Sequence, residues 1–238
     1  MQKRNKYLSS FSENMEAVRN LLEELEGTEL TEQKMRGILA CCTVQLLKQR
    51  LKDTEEKRYR WLVDGFGADE YRPASGFSFV YVYKEDLLGF LYLSLRKLKE
   101  RKKSGSYYTP KEIAKRVTDG VDFDGERTIL DPACGTGSIL LELPETCRIE
   151  QIYGYDIDPL AIAIVRVNMA LTYCNYDKKL LTEHFVVKDF LQEDSSKRID
   201  VIIGNPPWGS SFSQKEKENL EKKFVTARQK SMESGDLF

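Results

Sequence analysis

The sequence predicts an α/β domain built on a parallel sheet and preceded by a mainly helical region. Three observations carry that expectation. Short apolar segments at 128–130, 152–155, 185–187 and 201–203 are separated by longer stretches, the alternation expected of parallel strands joined by crossovers. The first three of them run into Asp131, Asp156 and Asp189, so acidic groups collect at one end of the sheet. The first hundred residues, by contrast, repeat their apolar positions at helical spacing.

In that leading region, Met15, Val18, Leu21, Leu22 and Leu25 form one helical stripe. Met35, Ile38, Leu39, Cys42 and Leu46 form a second over residues 31–51. Phe77, Phe79, Tyr81 and Tyr83 alternate with Ser78, Val80 and Val82, which predicts a half-buried strand. An amphipathic helix is expected over 86–103, with Leu87, Leu88, Leu91, Leu95 and Leu98 on one side and a basic end, RKLKERKK, favoured by the helix dipole.

The composition changes near Ser104, which is taken as the boundary between a helical region, 1–104, and the α/β domain, 105–238. Thr109, Pro110 and Glu112 have the spacing of a capping box, so a helix is expected to run to about Val117. Helices are expected after the first two strands. The charged stretch 214–230, with Leu220, Phe224 and Ala227 at helical spacing, predicts an exposed helix.

Composition narrows the function. The chain has 238 residues, 41% hydrophobic and 32% charged, enough for one α/β domain with a smaller companion. No apolar run approaches the ~20 residues of a membrane span. MQKRNKYLSS is not followed by the apolar core of a secretory signal, and a cytoplasmic location is expected. Five cysteines without a CxxC pair, and a single histidine, His184, give no zinc-ligand spacing, so no metal is expected. A net charge of −1 does not advertise a nucleic-acid binder; local clusters or another domain must supply phosphate contacts.

The strand ends hold the most specific chemistry. DPACGTGSIL places Asp131 before a turn of small residues, Gly135-Thr136-Gly137, expected to open a helix. Open α/β sheets bind ligands at such strand ends. Glycines there let the backbone approach a bound molecule, and a helix start offers unpaired N–H groups. The dinucleotide fingerprint is incomplete, because Leu140 stands where its third glycine belongs, and no Gly-Lys-Ser/Thr marks a Walker loop. Asp156, about twenty residues further on, has the spacing of an acid that accepts ribose hydroxyls, a feature nicotinamide enzymes share. Asp189 with Phe190 could hydrogen-bond and flank an adenine ring.

GSYYTP, DPACGTGSIL, YDIDP, KDF and IIGNPPW, in that order, resemble the successive motifs of the adenine-N6 DNA methyltransferases that place the cofactor-binding Tyr-Thr-Pro motif first. Within that class the chain is similar to modification subunits of type I restriction-modification systems and to fused restriction-methylation enzymes, from about residue 85 to 205. The resemblance implies a Rossmann-like methyltransferase sheet and the cofactor S-adenosyl-L-methionine. It implies that Tyr108, Thr109 and Pro110 lie along the methionine moiety, with Asp131, Ala133, Gly135 and Gly137 bordering it. It further implies that Asp156 holds the ribose, Ile157 covers one face of the adenine, Asp189 takes its amine and Phe190 packs nearby.

The same resemblance makes IIGNPPWG the catalytic loop. Adenine N6 is a poor nucleophile because its lone pair is delocalised, so the site must favour a pyramidal nitrogen. The Asn205 side-chain oxygen and the Pro206 carbonyl are expected to accept the two N6 hydrogens. Pro206 and Pro207 hold φ near −65° and offer no competing N–H, while Trp208 provides a stacking face for an extruded base. Cys134 lies in the cofactor turn and is read as packing.

The family's sheet has more strands than the four found here, and no target recognition domain is visible. The chain is therefore expected to be truncated or one product of a split gene, with weak methylation on its own. Its expected partners are DNA and either a specificity subunit or the missing C-terminal region. An Asn-Pro-Pro-aromatic loop also serves methyltransferases of RNA bases and protein glutamine amides. A non-catalytic cofactor-binding subunit is the remaining alternative.

Overall fold

The computed structural model describes residues 13–51, 56–69, 77–96, 109–123, 126–191, 198–206 and 213–223. Among the described residues four helices come first: α1 (Asn14–Glu24), α2 (Glu32–Leu51), α3 (Glu56–Asp64) and α4 (Leu87–Leu95). The Thr31 hydroxyl accepts the Lys34 N–H at 3.2 Å and so starts α2. Met35, Leu39, Cys42, Leu46 and Leu47 are buried along α2, as are Val18 and Leu21 on α1.

The strand expected at 77–83 does not form: residues 77–82 have no regular secondary structure and Tyr83 begins a turn. Backbone polar groups there are taken by side-chain amides instead. Gln45 donates to the Phe77 carbonyl at 3.1 Å and accepts the Phe79 N–H at 2.8 Å. One helical turn on, Gln49 donates to the Phe79 carbonyl at 2.6 Å and accepts the Tyr81 N–H at 2.9 Å. Asn14 serves Val80 in the same way, both bonds being 2.8 Å. Gln45 and Gln49 lie one turn apart on α2, about 6 Å along its axis, and between them they serve the alternate residues Phe77, Phe79 and Tyr81.

The helix expected at 86–103 ends early. α4 stops at Leu95, and Arg96 is extended, with φ −69° and ψ 138°; residues 97–108, including the boundary at Ser104 and most of the basic run, lie outside the described residues. The expected capping box is absent as well. Pro110, not Thr109, is the N-cap of α5 (Lys111–Asp119), and no side chain caps it.

Four parallel strands make the sheet: β1 (Ile129–Asp131), β2 (Ile152–Asp156), β3 (Phe185–Val187) and β4 (Val201–Ile202), in the order β3-β2-β1-β4. The chain runs outward from β1 through β2 to β3, then returns to pair β4 on the other side of β1. The switch point, where open α/β sheets bind ligands, falls between β1 and β4. Asp131 and Gly154 are paired neighbours, as are Asp156 and Val187, so the strands finish at one common edge.

After β2, α6 (Pro159–Tyr173) follows as expected, capped by Asp158, which accepts N–H groups from Leu160 and Ala161. After β1 the expected helix is replaced by a 3-10 turn, Leu140–Glu142. The interval is too short for more: Gly135 and Gly137 both have positive φ, and Leu143 already leaves helical geometry before Pro144. α7 (Lys178–His184) precedes β3, and α8 (Gln214–Lys223) lies within the helix expected at 214–230, whose remainder is outside the described residues.

The core is continuous between the helical region and the sheet. Leu88, Leu91 and Leu95 of α4 belong to the same buried cluster as Ile129, Ile152, Ile162, Val165 and Met169. The opposite face of the sheet carries a smaller cluster, Leu130, Tyr153 and Tyr155 with Val186, Phe190 and Ile199 packed against it. His184 stacks on Tyr153 there, ring centroids 4.1 Å apart.

Candidate functional site

Asp131 ends β1 with 1% of its surface exposed, and its Oδ1 accepts the Ala133 N–H at 3.1 Å. Burial in a low-dielectric site disfavours the charged form and pushes its pKa up to about 7, against the lowering effect of the Ala133 bond; the Asp156 charge adds to the rise. Gly204, just past β4, lies against this carboxyl. A Cβ there would stand 2.8 Å from Asp131 Oδ1, so only glycine lets the loop after β4 approach so closely.

Asp156 ends β2 and ties two turns together. One oxygen accepts the Gly135 N–H and the other the Asp158 N–H, both at 2.8 Å. Burial raises its pKa despite those bonds. Each carboxylate oxygen has two acceptor positions, so neither backbone bond prevents it from taking a ligand hydroxyl. Ile157, next in the chain, is 69% exposed and so presents an apolar face at the strand end.

The glycine turn differs at its two glycines. At Gly135, with φ +54°, a Cβ would meet nothing within 4 Å, so there is space beside the backbone. At Gly137, with φ +91°, a Cβ would strike Val165 of α6 at 2.6 Å. Cys134 is buried behind the turn, and its N–H donates to the Tyr155 carbonyl at 2.8 Å. Burial, with the nearby Asp131 and Asp156 charges, pushes its thiol well up, which suits packing and disfavours a thiolate nucleophile.

Thr109 is buried, and its hydroxyl accepts the Asn205 Nδ2 donor at 3.2 Å across 96 residues of sequence. The residue expected to cap α5 therefore reaches the loop after β4. The structure thus brings Thr109, Asp131, Gly204 and Asn205 to the switch point, with Asp156 and Gly135 joined beside it. Pro206 is half-buried next to Asn205. Asp189 forms a turn, accepting the Leu191 N–H at 3.0 Å. Phe190 packs on the Leu130 and Tyr155 face of the sheet. Tyr108, Pro207 and Trp208 lie outside the described residues.

Sequence reasoning missed Asp86, Tyr92, Arg96 and Asn168, whose side chains support these turns from α4 and α6. Asp86 and Asp158 each carry the local mark of an N-cap before an apolar helix, but nothing local reveals what else a cap touches. No group of metal-ligating side chains is found among the described residues, nor any helix long and apolar enough to cross a membrane.

Fold and site together define the class: an open parallel α/β domain in which an acidic strand end and an Asn-Pro loop meet at the topological switch. The sequence model of the family N-6 DNA Methylase matches residues 83–237, and the chain belongs to that family. It is 36% identical over 134 residues to the type II methyltransferase M.VspI of a Vibrio species, covering 55% of this chain and 32% of that protein. It is 29% identical over 158 residues to the type I restriction enzyme EcoEI methylase subunit of Escherichia coli, covering 60% and 31%. The chain spans about a third of the length of these curated relatives. A crystal structure of a modification subunit of a putative type I restriction enzyme from Vibrio vulnificus superimposes with a TM-score of 0.46 at 23% identity, covering 70% of this chain and 42% of that one.

Proposed function

We propose that this chain is the cofactor-binding and catalytic part of a DNA methyltransferase of a restriction-modification system, acting on adenine N6. The observation that carries the reading is the Asn205 to Thr109 hydrogen bond at the switch point. It joins the two motifs that such an enzyme must bring together, one for the cofactor and one for the target amine. The family match and the restriction-modification relatives support the same substrate class.

The residues present fit S-adenosyl-L-methionine. When bound, this cofactor supplies an electrophilic methyl group on a sulfonium. Asp156 would accept ribose hydroxyls, Ile157 would cover one adenine face, and Asp189 would take the ring amine. Tyr108, Thr109, Pro110, Asp131, Ala133, Gly135 and Gly137 would border the methionine end. Asp131 is the group most changed by such a ligand: a cation beside it favours the carboxylate over the buried neutral acid.

On the substrate side, Asn205 and the Pro206 carbonyl accept the amine hydrogens of an extruded adenine, so that its lone pair points at the electrophile. Donating Nδ2 to Thr109 fixes the amide plane in advance, the preorganisation that makes an acceptor effective in the transition state. By resemblance of the Asn-Pro-Pro-Trp motif, Pro207 would stiffen the loop and Trp208 would offer a stacking face to the base.

We further propose that residues 1–104 and 105–238 act as a helical region and a catalytic domain in the cytoplasm. Sequence readout then falls to a specificity subunit or to further chain of the kind the longer relatives possess. The deciding experiment is calorimetry with S-adenosyl-L-methionine, followed by tritiated methyl transfer to adenine-containing DNA with and without the product of an adjacent gene. Binding together with label at adenine N6 supports the proposal. Label in RNA or protein alone, or no binding, overturns it.

A further inference from the structure

Helix α4 touches both turns that frame the proposed cofactor site. At its start, Asp86 accepts the Gly89 N–H at 2.8 Å as a helix cap. The same carboxylate accepts the Thr136 hydroxyl at 2.5 Å and the Asn168 amide at 2.7 Å. Asn168 also donates to the Thr136 carbonyl at 2.8 Å, so the middle residue of the glycine turn is held by side chain and backbone together. Gly89 makes this approach possible, since a Cβ there would overlap both Asp86 Oδ2 and Thr136 Oγ1.

At the other end of α4, the Tyr92 hydroxyl donates to Asp158 Oδ2, and Arg96 forms an ion pair with the same oxygen at 3.1 Å. Burial, and then the Asp158 bond, raise the Tyr92 pKa, so this hydroxyl stays a donor. The backbone N–H of Asp158 is one of the two that fix Asp156. Its remaining oxygen caps α6 through Leu160 and Ala161. The two turns then meet through the Gly135 to Asp156 bond.

We propose that α4 is a positioning helix for the cofactor site, in which Asp86 sets the glycine turn through Thr136, and Tyr92 with Arg96 sets the Asp156 turn through Asp158. A site must hold its groups close to the productive geometry, and side chains locked by a supporting layer of hydrogen bonds do that. The inference rests on reading these turns as the S-adenosyl-L-methionine site, but the bracing of the turns has its own observable.

The test uses the full chain with Tyr92→Phe, Asp86→Ala, Asp86→Asn and a control, Leu21→Ala, in the α1 core. Two quantities are read: calorimetric affinity for S-adenosyl-L-methionine, and amide hydrogen exchange at residues 135–137 and 158–161 without ligand. Tyr92→Phe is expected to speed exchange at 158–161 and to weaken binding about tenfold, as loss of a charge-assisted bond does. Asp86→Ala is expected to speed exchange at 135–137, with Asp86→Asn restoring part of the protection because it can still cap the helix. Leu21→Ala should lower the unfolding midpoint while leaving affinity within about twofold.

The proposal is overturned if Leu21→Ala loosens both turns as much as Tyr92→Phe, or if Tyr92→Phe leaves exchange unchanged. Failure of the unaltered chain to bind the cofactor sinks the reading of the site alone, and exchange then decides the bracing. If Asp86→Ala does not fold, Asp86→Asn and Tyr92→Phe decide.

Discussion

The two sides of the switch point are built differently. On the β1 and β2 side, the glycine turn and the Asp156 turn are tied to each other, to α4 and to α6 by bonds from Asp86, Tyr92, Arg96 and Asn168. On the β4 side, Asn205 in the loop after the strand donates to Thr109, just ahead of α5, at the longer distance of 3.2 Å. Ile202 of β4, moreover, is 59% exposed, whereas Leu130 at the centre of the sheet is fully buried. The difference teaches which elements hold each half. The half proposed to hold the cofactor is braced by side chains of α4 and α6, and the half proposed to meet the target base is set by the Asn205 bond to Thr109 and by the close approach of Gly204 to Asp131.

The largest effect that would sharpen this contrast is expected from Asn205→Ala. Methyl transfer should fall on the order of a hundredfold or more, as when one preorganised acceptor or donor is deleted, with S-adenosyl-L-methionine affinity changed by less than about threefold. Equal losses in both quantities would mean that the two sides are not separable. Gly89→Ala probes the braced half from the opposite direction. Its methyl group would collide with Asp86 and Thr136, and urea unfolding should show destabilisation of about 3 kcal/mol.

The pH dependence of the acidic half comes next. Asp131, with its folded-state pKa raised to about 7, keeps its proton in the native chain while the unfolded chain loses it near pH 4. Its neutral form therefore contributes stability that is fully present below about pH 4 and is lost as pH rises through about 7. Asp156 is shifted in the same direction. Chemical denaturation from about pH 5 to about pH 7.5 should show Asp131→Asn escaping part of that decline. Cofactor binding should strengthen as pH rises through the same range, because a cation favours the carboxylate. A pH-independent difference between Asp131→Asn and the unaltered chain would contradict this assignment.

The smallest effect lies far from the switch point. Gln49→Ala leaves the Phe79 carbonyl and Tyr81 N–H without their amide partner. Because that segment is partly open to water, which can replace the lost partner, a cost of about 1 kcal/mol is expected in thermal unfolding, with cofactor binding unchanged.

Much of this arrangement was legible in the residues. The positions of β1, β2 and β3 follow from short apolar runs that lead into acids, and that of β4 from the apolar run at 201–203. The errors have non-local causes. Thr109, Pro110 and Glu112 satisfy the capping pattern, but Thr109 is drawn to Asn205, a partner 96 residues away that no local rule contains. The alternation at 77–83 predicts a strand, but periodicity cannot say that the amides of Gln45, Gln49 and Asn14, rather than a neighbouring strand, will take these backbone groups. The helix expected beyond Leu95 ends where Arg96 turns to Asp158.

The sequence by itself determined the parallel α/β architecture, the order of the acidic strand ends and the family, because side-chain period and motif order are properties of neighbouring residues. Only the tertiary structure decided that β4 returns beside β1, that Asp131 is buried enough to hold a proton near neutrality, and that α4 grips both turns. Those outcomes depend on burial and on partners distant along the chain, and a carboxylate's charge and bonds are set by whatever the folded chain packs around it.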